Sequence, residues 1–189
     1  MKYLIVGLGN PGSEYFHTRH NIGFILLDAF VKASSSFFSP ARLADVAKVN
    51  WKGKQITCIK PSTFMNLSGK SLRYWMQVEH IPLENILVLT DDLALEIGSM
   101  KLKPKGSDGG HNGLKDIAGQ LNTQEYARLR FGIGHDFLPG KQSDYVLGNF
   151  SVEEQEIINL KIPIVIDLIK NFVSVGLMRT MNLMNKELK

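Results

Sequence analysis

Hydrophobic residues recur along the chain with two spacings, which together predict alternating strands and helices. Short apolar runs are typical of buried strands, and they occur at 2–7, 43–49, 55–60, 86–90, 99–103 and 129–133. Helical patterns begin near Asn21, the expected N-cap, and follow at 69–78, at 113–121 and after Ser151. Ser151 with Glu154 forms a capping-box pattern, and we expect that last region to be interrupted near Pro163.

This alternation predicts an α/β fold, a three-layer sandwich whose mixed, mostly parallel central sheet is flanked by helices. The 189 residues contain no linker, repeat or low-complexity tract, so we expect a single domain over 1–189. In such sheets the functional residues gather in loops at the carboxyl ends of the strands. The loops that follow the predicted strands are therefore the places to look for a site.

The composition narrows the class of protein. A net charge of +4 and a pI of about 9.1 mildly favour a polyanionic partner. The single cysteine, Cys58, excludes an internal disulfide framework and a multi-cysteine zinc site, and its apolar neighbours predict a buried strand position. The N-terminal apolar run is too short for a signal peptide or a membrane span. We therefore expect a cytoplasmic protein that does not associate with a membrane.

The first loop, GLGNPG, has the glycine spacing of a dinucleotide-binding turn. That turn needs its last glycine to open a helix, whereas Pro11 interrupts this loop and the helical pattern starts about nine residues after Gly12. The acidic residue that binds the ribose is also missing from its usual place. We interpret the glycines instead as residues that let the backbone turn tightly and present Asn10 at a strand end.

Three asparagines stand beside strand ends or helix starts: Asn10 in GNPG, Asn66 in TFMNLSG and Asn112 in GGHNGL. An asparagine amide offers two donors and an acceptor, which suits it to gripping a peptide unit or polarising a carbonyl. The alternative is a turn or a helix cap, and taken one at a time Asn66 and Asn112 fit the capping role.

His20, at the end of the first loop, is the natural general base near neutral pH. Asp91 follows the buried run ILVLT, so we expect its carboxylate at a strand end, where it can orient the imidazole. Asp91 and Asp92 also fit a solvated turn or a metal site, but only Glu96 follows closely and no histidine is near in sequence, which disfavours a metal. No serine or cysteine stands in a nucleophile elbow, so water is the expected nucleophile of a hydrolysis.

Basic residues flank the glycine-rich stretch GSDGGHNG. Lys101 and Lys103 alternate along a predicted strand, Lys105 follows them, and Arg128 and Arg130 repeat the period of two. Glycines in the intervening loop allow a phosphate backbone to approach closely. We interpret the arrangement as a phosphate-binding surface, and a solvated sheet edge protected by lysines remains the alternative.

Four segments stand in order along the chain: GLGNPGSEYFHTRHNIGF, KPSTFMNLSGK, GGHNGLKDI and RLRFGIG. Together they resemble the bacterial-type peptidyl-tRNA hydrolase family. The resemblance implies a monomeric α/β enzyme that hydrolyses the ester between the C-terminus of a peptide and the 3′ ribose of tRNA. We expect neither a metal nor a cofactor.

The resemblance also implies roles for individual residues. It implies that His20 is the catalytic base, that Asp91 pairs with it, and that the asparagines position substrate and water, with Asn10 beside the base. The positions implied to bind the acceptor end and the peptide are Tyr15, Met65, Asn66, Gly109 and Asn112. Those implied to form the tRNA-binding face are Lys101, Lys103 and Arg130, to which we add the neighbouring Lys105.

The sequence departs from the family pattern at two places. After Asp91 it reads DDLALEIG, with Ala94 and Glu96, which leaves the role of the second carboxylate, Asp92, open. Asp108 stands before GGHNG in place of a small residue, and its negative charge disfavours phosphate there.

A rival interpretation is an RNA-binding module without catalysis. That interpretation predicts loss of the base or of the asparagines, yet all of them are present.

Overall fold

The computed structural model describes residues 1–188, in which seven strands form one mixed sheet. The strands are β1 (Lys2–Gly7), β2 (Ser39–Ala41), β3 (Ala44–Trp51), β4 (Lys54–Pro61), β5 (Ile86–Asp92), β6 (Met100–Lys103) and β7 (Ala127–Gly132). Their order across the sheet is β2-β3-β4-β1-β5-β7-β6. The four central strands, β4, β1, β5 and β7, are parallel, and the antiparallel pairs lie toward the two edges. The predicted mixed, mostly parallel sheet is confirmed.

Helices cover both faces of the sheet, which gives the predicted three layers. The helices are α1 (Ile22–Ala33), α2 (Ser68–Val78), α3 (Asn112–Leu121), α4 (Gln142–Val146), α5 (Val152–Val175) and α6 (Leu177–Met184). One hydrophobic cluster joins the sheet to α1, α5 and α6, and a second joins the opposite face to α2 and α3. Short 3₁₀ helices lie at Ser13–Tyr15, Arg19–Asn21, Met65–Leu67 and Leu83–Asn85. No helix within residues 1–188 is both long enough and apolar enough to cross a bilayer.

The sequence prediction was wrong at α5, which runs without a break through Pro163. Pro163 lies on the exposed side of the helix, where water can satisfy the carbonyl group that the proline leaves unpaired. On the other side, Val165, Leu168 and Phe172 pack into the core. Burial of this face keeps the helix continuous. The predicted capping box at Ser151 and Glu154 is confirmed, and the short β2 and α4 had no counterpart in the prediction.

Close packing between α1 and the first strand explains two of the three glycines of the GLGNPG loop. A Cβ on Gly7 would collide with the carbonyl oxygen of Gly23, and one on Gly9 would lie 2.8 Å from the Phe24 ring. Only Gly12, with φ of 113°, needs glycine for its backbone conformation. Our interpretation of all three as turn residues was therefore wrong for Gly7 and Gly9, which let α1 approach the sheet.

The sheet determines where a site can form, because its four central strands are parallel and end at the same edge. The segment that carries Asn10 follows β1, the segment that carries Asn66 follows β4, and Asp91 lies near the end of β5. Arg130 lies near the end of β7, the neighbour of β5. The predicted concentration of polar residues at the carboxyl ends of strands is realised at this edge.

Replacing Gly23 by alanine tests the packing of α1, and the same replacement at Gly119 in α3 is the control. Gly23→Ala should destabilise the protein by about 1–3 kcal/mol, because the new methyl group would meet the Leu89 carbonyl oxygen at 2.5 Å. Gly119→Ala in α3 meets no atom within 4 Å and should stabilise it by about 0.5–1 kcal/mol. Urea unfolding measures both, and a Gly23→Ala protein as stable as the wild type would contradict the close contact.

Candidate active site

A cleft of about 1020 Å³ lies at the carboxyl ends of the central strands. Eight of the predicted site residues line it: Asn10, His20, Met65, Asn66, Asp91, Gly109, Asn112 and Arg130. Asp92, whose role the sequence left open, lines it as well. The loop after β7 and helix α4 form the opposite wall. The structure thus brings together residues that are more than 100 positions apart in the sequence.

The imidazole of His20 faces the carboxylate of Asp91. Its Nδ1 lies 3.1 Å from Oδ1 and 3.0 Å from Oδ2. Because a carboxylate only accepts, Nδ1 carries the proton and donates it. The other ring nitrogen of His20, Nε2, then has its lone pair available, which is the state a general base requires.

A second histidine, His111, contacts the same carboxylate and was missed by the sequence analysis. Its Nε2 lies 2.8 Å from Asp91 Oδ1 and 2.9 Å from Thr90 Oγ1. Its Nδ1 accepts the backbone N–H groups of Gly113 and Leu114, at 3.1 and 3.2 Å, and so caps the N-terminus of α3. These two bonds require an Nδ1 without a proton, so the neutral ring carries its hydrogen on Nε2 and donates it to Asp91. Its place in GGHNG, directly before a predicted helix, was the available signal.

The two histidines keep Asp91 ionised although it is buried. Burial by itself raises the pKa of the Asp91 carboxyl, but the charges and hydrogen bonds of His111 and His20 outweigh it and hold that pKa well below its ordinary value. Asp91 therefore acts as a fixed negative charge and a fixed acceptor between two rings whose centroids are 4.9 Å apart.

His20, Asp91 and His111 also place three potential metal-ligand atoms within 4.8 Å of one another. The hydrogen bonds disfavour a metal between them. The cap of α3 occupies the Nδ1 lone pair of His111, and its Nε2 carries the hydrogen that Asp91 accepts. A metal ion would need that nitrogen deprotonated and the capping bonds broken.

A two-point hydrogen bond fixes Asn10. The Asn21 side chain accepts from the Asn10 backbone N–H and donates to the Asn10 carbonyl, both at 2.9 Å. The Oδ1 of Asn10 in turn accepts the backbone N–H of Met65 at 2.8 Å. Its Nδ2 has no partner among residues 1–188 and is therefore an available donor in the cleft wall. We had expected the side chain of Asn21 to cap α1. It does not, because it forms the two hydrogen bonds to the backbone of Asn10 instead.

Neither Asn66 nor Asn112 caps a helix, which contradicts the capping alternative. The N-cap position of α2 is Leu67 and that of α3 is His111. Both asparagines are exposed in the cleft, and within the described chain neither side chain forms a hydrogen bond. Their amides are thus available to a ligand.

Phe64 and Met65 form part of the apolar lining of the cleft. Phe64 is 57% exposed, whereas Met65 is buried. The Met65 N–H bonds to Asn10, and its carbonyl accepts from both the backbone and the hydroxyl of Ser68. The backbone groups of Met65 are therefore already engaged within the protein.

Of the predicted substrate residues Tyr15 and Gly109, only Gly109 lines the cleft. Tyr15 lies in the 3₁₀ helix Ser13–Tyr15, is half-buried and does not line the cleft. Gly109 lines the cleft with φ of 60°, and a Cβ there would lie 3.5 Å from an amino nitrogen of Arg130. The loop of Gly109 therefore runs beside the guanidinium of Arg130.

The basic residues fall into two groups. Lys101 and Lys103 are exposed on β6, which is the edge strand, so the sheet-edge interpretation fits their position as well as phosphate binding does. Lys105 is exposed and lies 3.5 Å from Glu125. Arg130 faces the cleft, where its Nε lies 2.8 Å from Asp92 Oδ2. The two neighbouring aspartates, Asp91 and Asp92, therefore have different partners.

Arg128 corrects the sequence interpretation, because it is only 1% exposed and cannot bind a phosphate at the surface. Its guanidinium stacks 4.0 Å from the ring centre of Tyr126 and donates to the carbonyls of Gln124 and Ser107 at 2.8 and 3.4 Å. Burial lowers the pKa of Arg128 from its ordinary value. The residue ties the GSDGGHNG loop, and with it His111, to β7.

Arg19, the neighbour of His20, connects the base to the opposite wall. It lies 2.7 Å from Glu154 at the start of α5, donates to the Asn149 carbonyl at 2.8 Å, and stacks 4.4 Å from the ring centre of Tyr145. The segment that carries His20 is thus held from both sides of the cleft.

An α/β sandwich with a histidine–carboxylate pair and several amide groups at its strand ends belongs to the class of acid–base enzymes and is suited to hydrolysis. A family model described as peptidyl-tRNA hydrolase matches residues 4–189. The peptidyl-tRNA hydrolase of Phocaeicola vulgatus is 56% identical over 187 residues, 99% of this chain and 100% of the relative. The corresponding protein of Bacteroides fragilis is 54% identical with the same coverage.

A solved structure agrees with these relatives. The crystal structure of peptidyl-tRNA hydrolase from Acinetobacter baumannii superposes with a TM-score of 0.91 at 34% identity, over 97% of this chain and 94% of that one. The chain belongs to the peptidyl-tRNA hydrolase family.

The ionised state of Asp91 predicts a pH-dependent loss of stability in Asp91→Asn. At pH 7 the substitution should destabilise the protein by about 1.5–3 kcal/mol, because hydrogen bonds to a charged acceptor are lost. A depressed folded-state pKa means that this stabilisation is present above the ordinary carboxyl pKa of about 3.9 and disappears as the pH falls through the lower, folded value. The difference from wild type should therefore narrow below pH 4.

Urea unfolding at a series of pH values measures this difference. Asp167→Asn is the matched control, because Asp167 is exposed on α5, and it should change stability by less than about 0.5 kcal/mol at every pH. A difference between Asp91→Asn and wild type that is constant down to about pH 3 would show that Asp91 is not a depressed carboxylate.

Proposed function

We propose that this chain hydrolyses the ester that joins the C-terminus of a peptide to the 3′ ribose of tRNA, releasing free tRNA and free peptide, with His20 as the base that activates water. Membership of the peptidyl-tRNA hydrolase family supports the reaction. The observation that carries the mechanism is the bond from His20 Nδ1 to the buried Asp91, because it leaves Nε2 to accept a proton.

In this mechanism His20 takes a proton from water as the water attacks the ester carbonyl. The ring becomes positively charged, and the adjacent Asp91 carboxylate stabilises that charge. His111 acts through Asp91, because its bond to Oδ1 fixes the carboxylate from the other side. When the ester bond breaks, the proton passes from His20 to the leaving ribose oxygen.

Asn10 is the best-prepared donor for the oxyanion that forms on the carbonyl. Its Oδ1 is occupied by the Met65 N–H, so the amide cannot rotate to present an acceptor, and its Nδ2 is left as a donor. Asn21 fixes the backbone of Asn10, so little reorganisation is needed during the reaction. A donor fixed in advance in this way is the kind that stabilises a developing negative charge.

Asn66 and Asn112 grip the peptide in this proposal, since both amides are exposed in the cleft. A clamp on the first peptide bond distinguishes peptidyl-tRNA from aminoacyl-tRNA, which has a free amine in place of that amide. A site built for a hydrogen bond rejects the analogue that lacks it by about 10⁴-fold or more. Met65, Phe64 and Gly109 complete the peptide-binding wall.

The tRNA is held by Arg130 at the cleft and by Lys101, Lys103 and Lys105 along the β6 edge, with Tyr15 at the acceptor end. Lys101 and Lys103 alternate along β6, and Arg130 lies opposite Lys101 on the neighbouring β7, so these three side chains can contact phosphates. The resemblance further supports a monomer acting in the cytoplasm.

The test compares N-acetyl-aminoacyl-tRNA with unacetylated aminoacyl-tRNA and follows the release of free tRNA. We expect rapid cleavage of the acetylated substrate alone. His20→Ala should lower its kcat by at least about 10³-fold, because the base is lost, while the affinity for tRNA stays within about twofold. Binding of tRNA without cleavage of either substrate by the wild type would instead favour an RNA-binding module.

A further inference from the structure

Asp92, whose role the sequence left open, is buried and firmly held. Its Oδ1 accepts the backbone N–H of Ala94 at 2.9 Å, and its Oδ2 lies 2.8 Å from Nε of Arg130. Only 5% of the Asp92 side chain is exposed, compared with 30% of the Arg130 side chain. The carboxylate is therefore the fixed member of the pair, and the arginine is the member that reaches solvent.

The geometry leaves a defined part of Arg130 available. Asp92 engages the Nε edge of the guanidinium, and the two terminal amino groups have no hydrogen-bond or ion-pair partner within residues 1–188. One of them lies beside Gly109, which lines the same cleft as His20 and Asp91. A guanidinium held by one edge presents its other donors in a fixed direction, which suits recognition of a phosphate.

We propose that Asp92 is a positioning residue, which holds Arg130 by its Nε so that the terminal amino groups meet a phosphate of the tRNA at the cleft. The inference rests on the proposed function for the identity of the substrate. It assigns to the second aspartate a part in substrate affinity, distinct from the part of Asp91 in the chemical step.

For the removal of the Asp92 charge, the proposal predicts a change in tRNA affinity opposite to the change that electrostatics alone predicts. Removing a negative charge from a site that binds a polyanion should strengthen binding if only electrostatics matters. If Asp92 positions Arg130, its removal should weaken binding, because the guanidinium is free to take other orientations. The sign of the change in KM separates the two.

The first measurement is KM and kcat of Asp92→Asn for N-acetyl-aminoacyl-tRNA. We expect KM to rise about threefold to tenfold while kcat stays within about twofold, because the contact orients substrate and takes no part in the chemistry. Asp108→Asn is the matched control. It removes a charge from the same cleft and keeps an acceptor for the Gly110 N–H, so its KM should fall. A fall in KM for Asp92→Asn as well would overturn the proposal.

A double-mutant cycle tests whether Asp92 acts through Arg130. In an Arg130→Met background, Asp92→Asn should have less than about half of its effect on KM, because the group that it positions is gone. An undiminished effect in that background would overturn the proposal. Asp92→Glu covers the case in which Asp92→Asn does not fold. It keeps the charge but displaces the carboxylate, so KM should rise, and an unchanged KM would count against positioning.

Arginine side-chain NMR gives a readout that does not depend on turnover. The Nε proton of Arg130 should exchange slowly with solvent in the wild type and fast in Asp92→Asn, and equal rates would refute the bond. Binding of deacylated tRNA, followed by fluorescence anisotropy, should weaken in parallel with the rise in KM. If the wild type binds tRNA but cleaves no ester, the proposed function fails, while these two measurements still decide the role of Asp92.

Discussion

The buried carboxylate of Asp91 accepts hydrogen bonds from two histidines, and this shared acceptor organises the active site. His20 reaches it from the segment after β1, and His111 reaches it from the loop before α3. Because His111 also caps α3, the N-terminus of that helix and the imidazole of His20 are both positioned by the Asp91 carboxylate. Burial would neutralise a lone carboxyl group, and the two rings prevent this. The Asp91 carboxylate, at the end of β5, thereby fixes the tautomers of both imidazoles.

Close packing of α1 against the sheet also positions Asn10 and Met65 in the cleft. Gly7 and Gly23 let α1 lie directly against the sheet, which brings Asn21 to the backbone of Asn10. Asn10 then holds the N–H of Met65, which lies in the segment after β4. Asn10, the segment of His20 and Asn21, and Met65 thus belong to one connected set of contacts. Within residues 1–188 the side chains of Asn66 and Asn112 form no hydrogen bond, and in our proposal these two amides grip the peptide.

The sequence predicted six of the seven strands, the starts of four of the six helices and the motifs of the cleft, since these follow from local periodicity and from residue types. It failed where a contact between distant segments decided the outcome. Pro163 does not break α5 because a buried face holds the helix together, and Arg128 is buried because Tyr126 and two carbonyls enclose it. His111 was missed because the local pattern around GGHNG indicates a helix start and does not indicate a bond to Asp91. Periodicity shows which face of a strand a residue occupies, but not which loop covers it.

The tautomers of the two histidines are the sharpest consequence of this arrangement, and long-range ¹H–¹⁵N NMR correlations of the imidazole rings report them. The correlations are read at a pH where the ring ¹⁵N chemical shifts show both imidazoles to be neutral. His20 should then carry its proton on Nδ1, and His111 should carry its proton on Nε2. A His20 ring protonated on Nε2 would mean that Asp91 does not hold it as a base, and the mechanism built on that bond would be wrong.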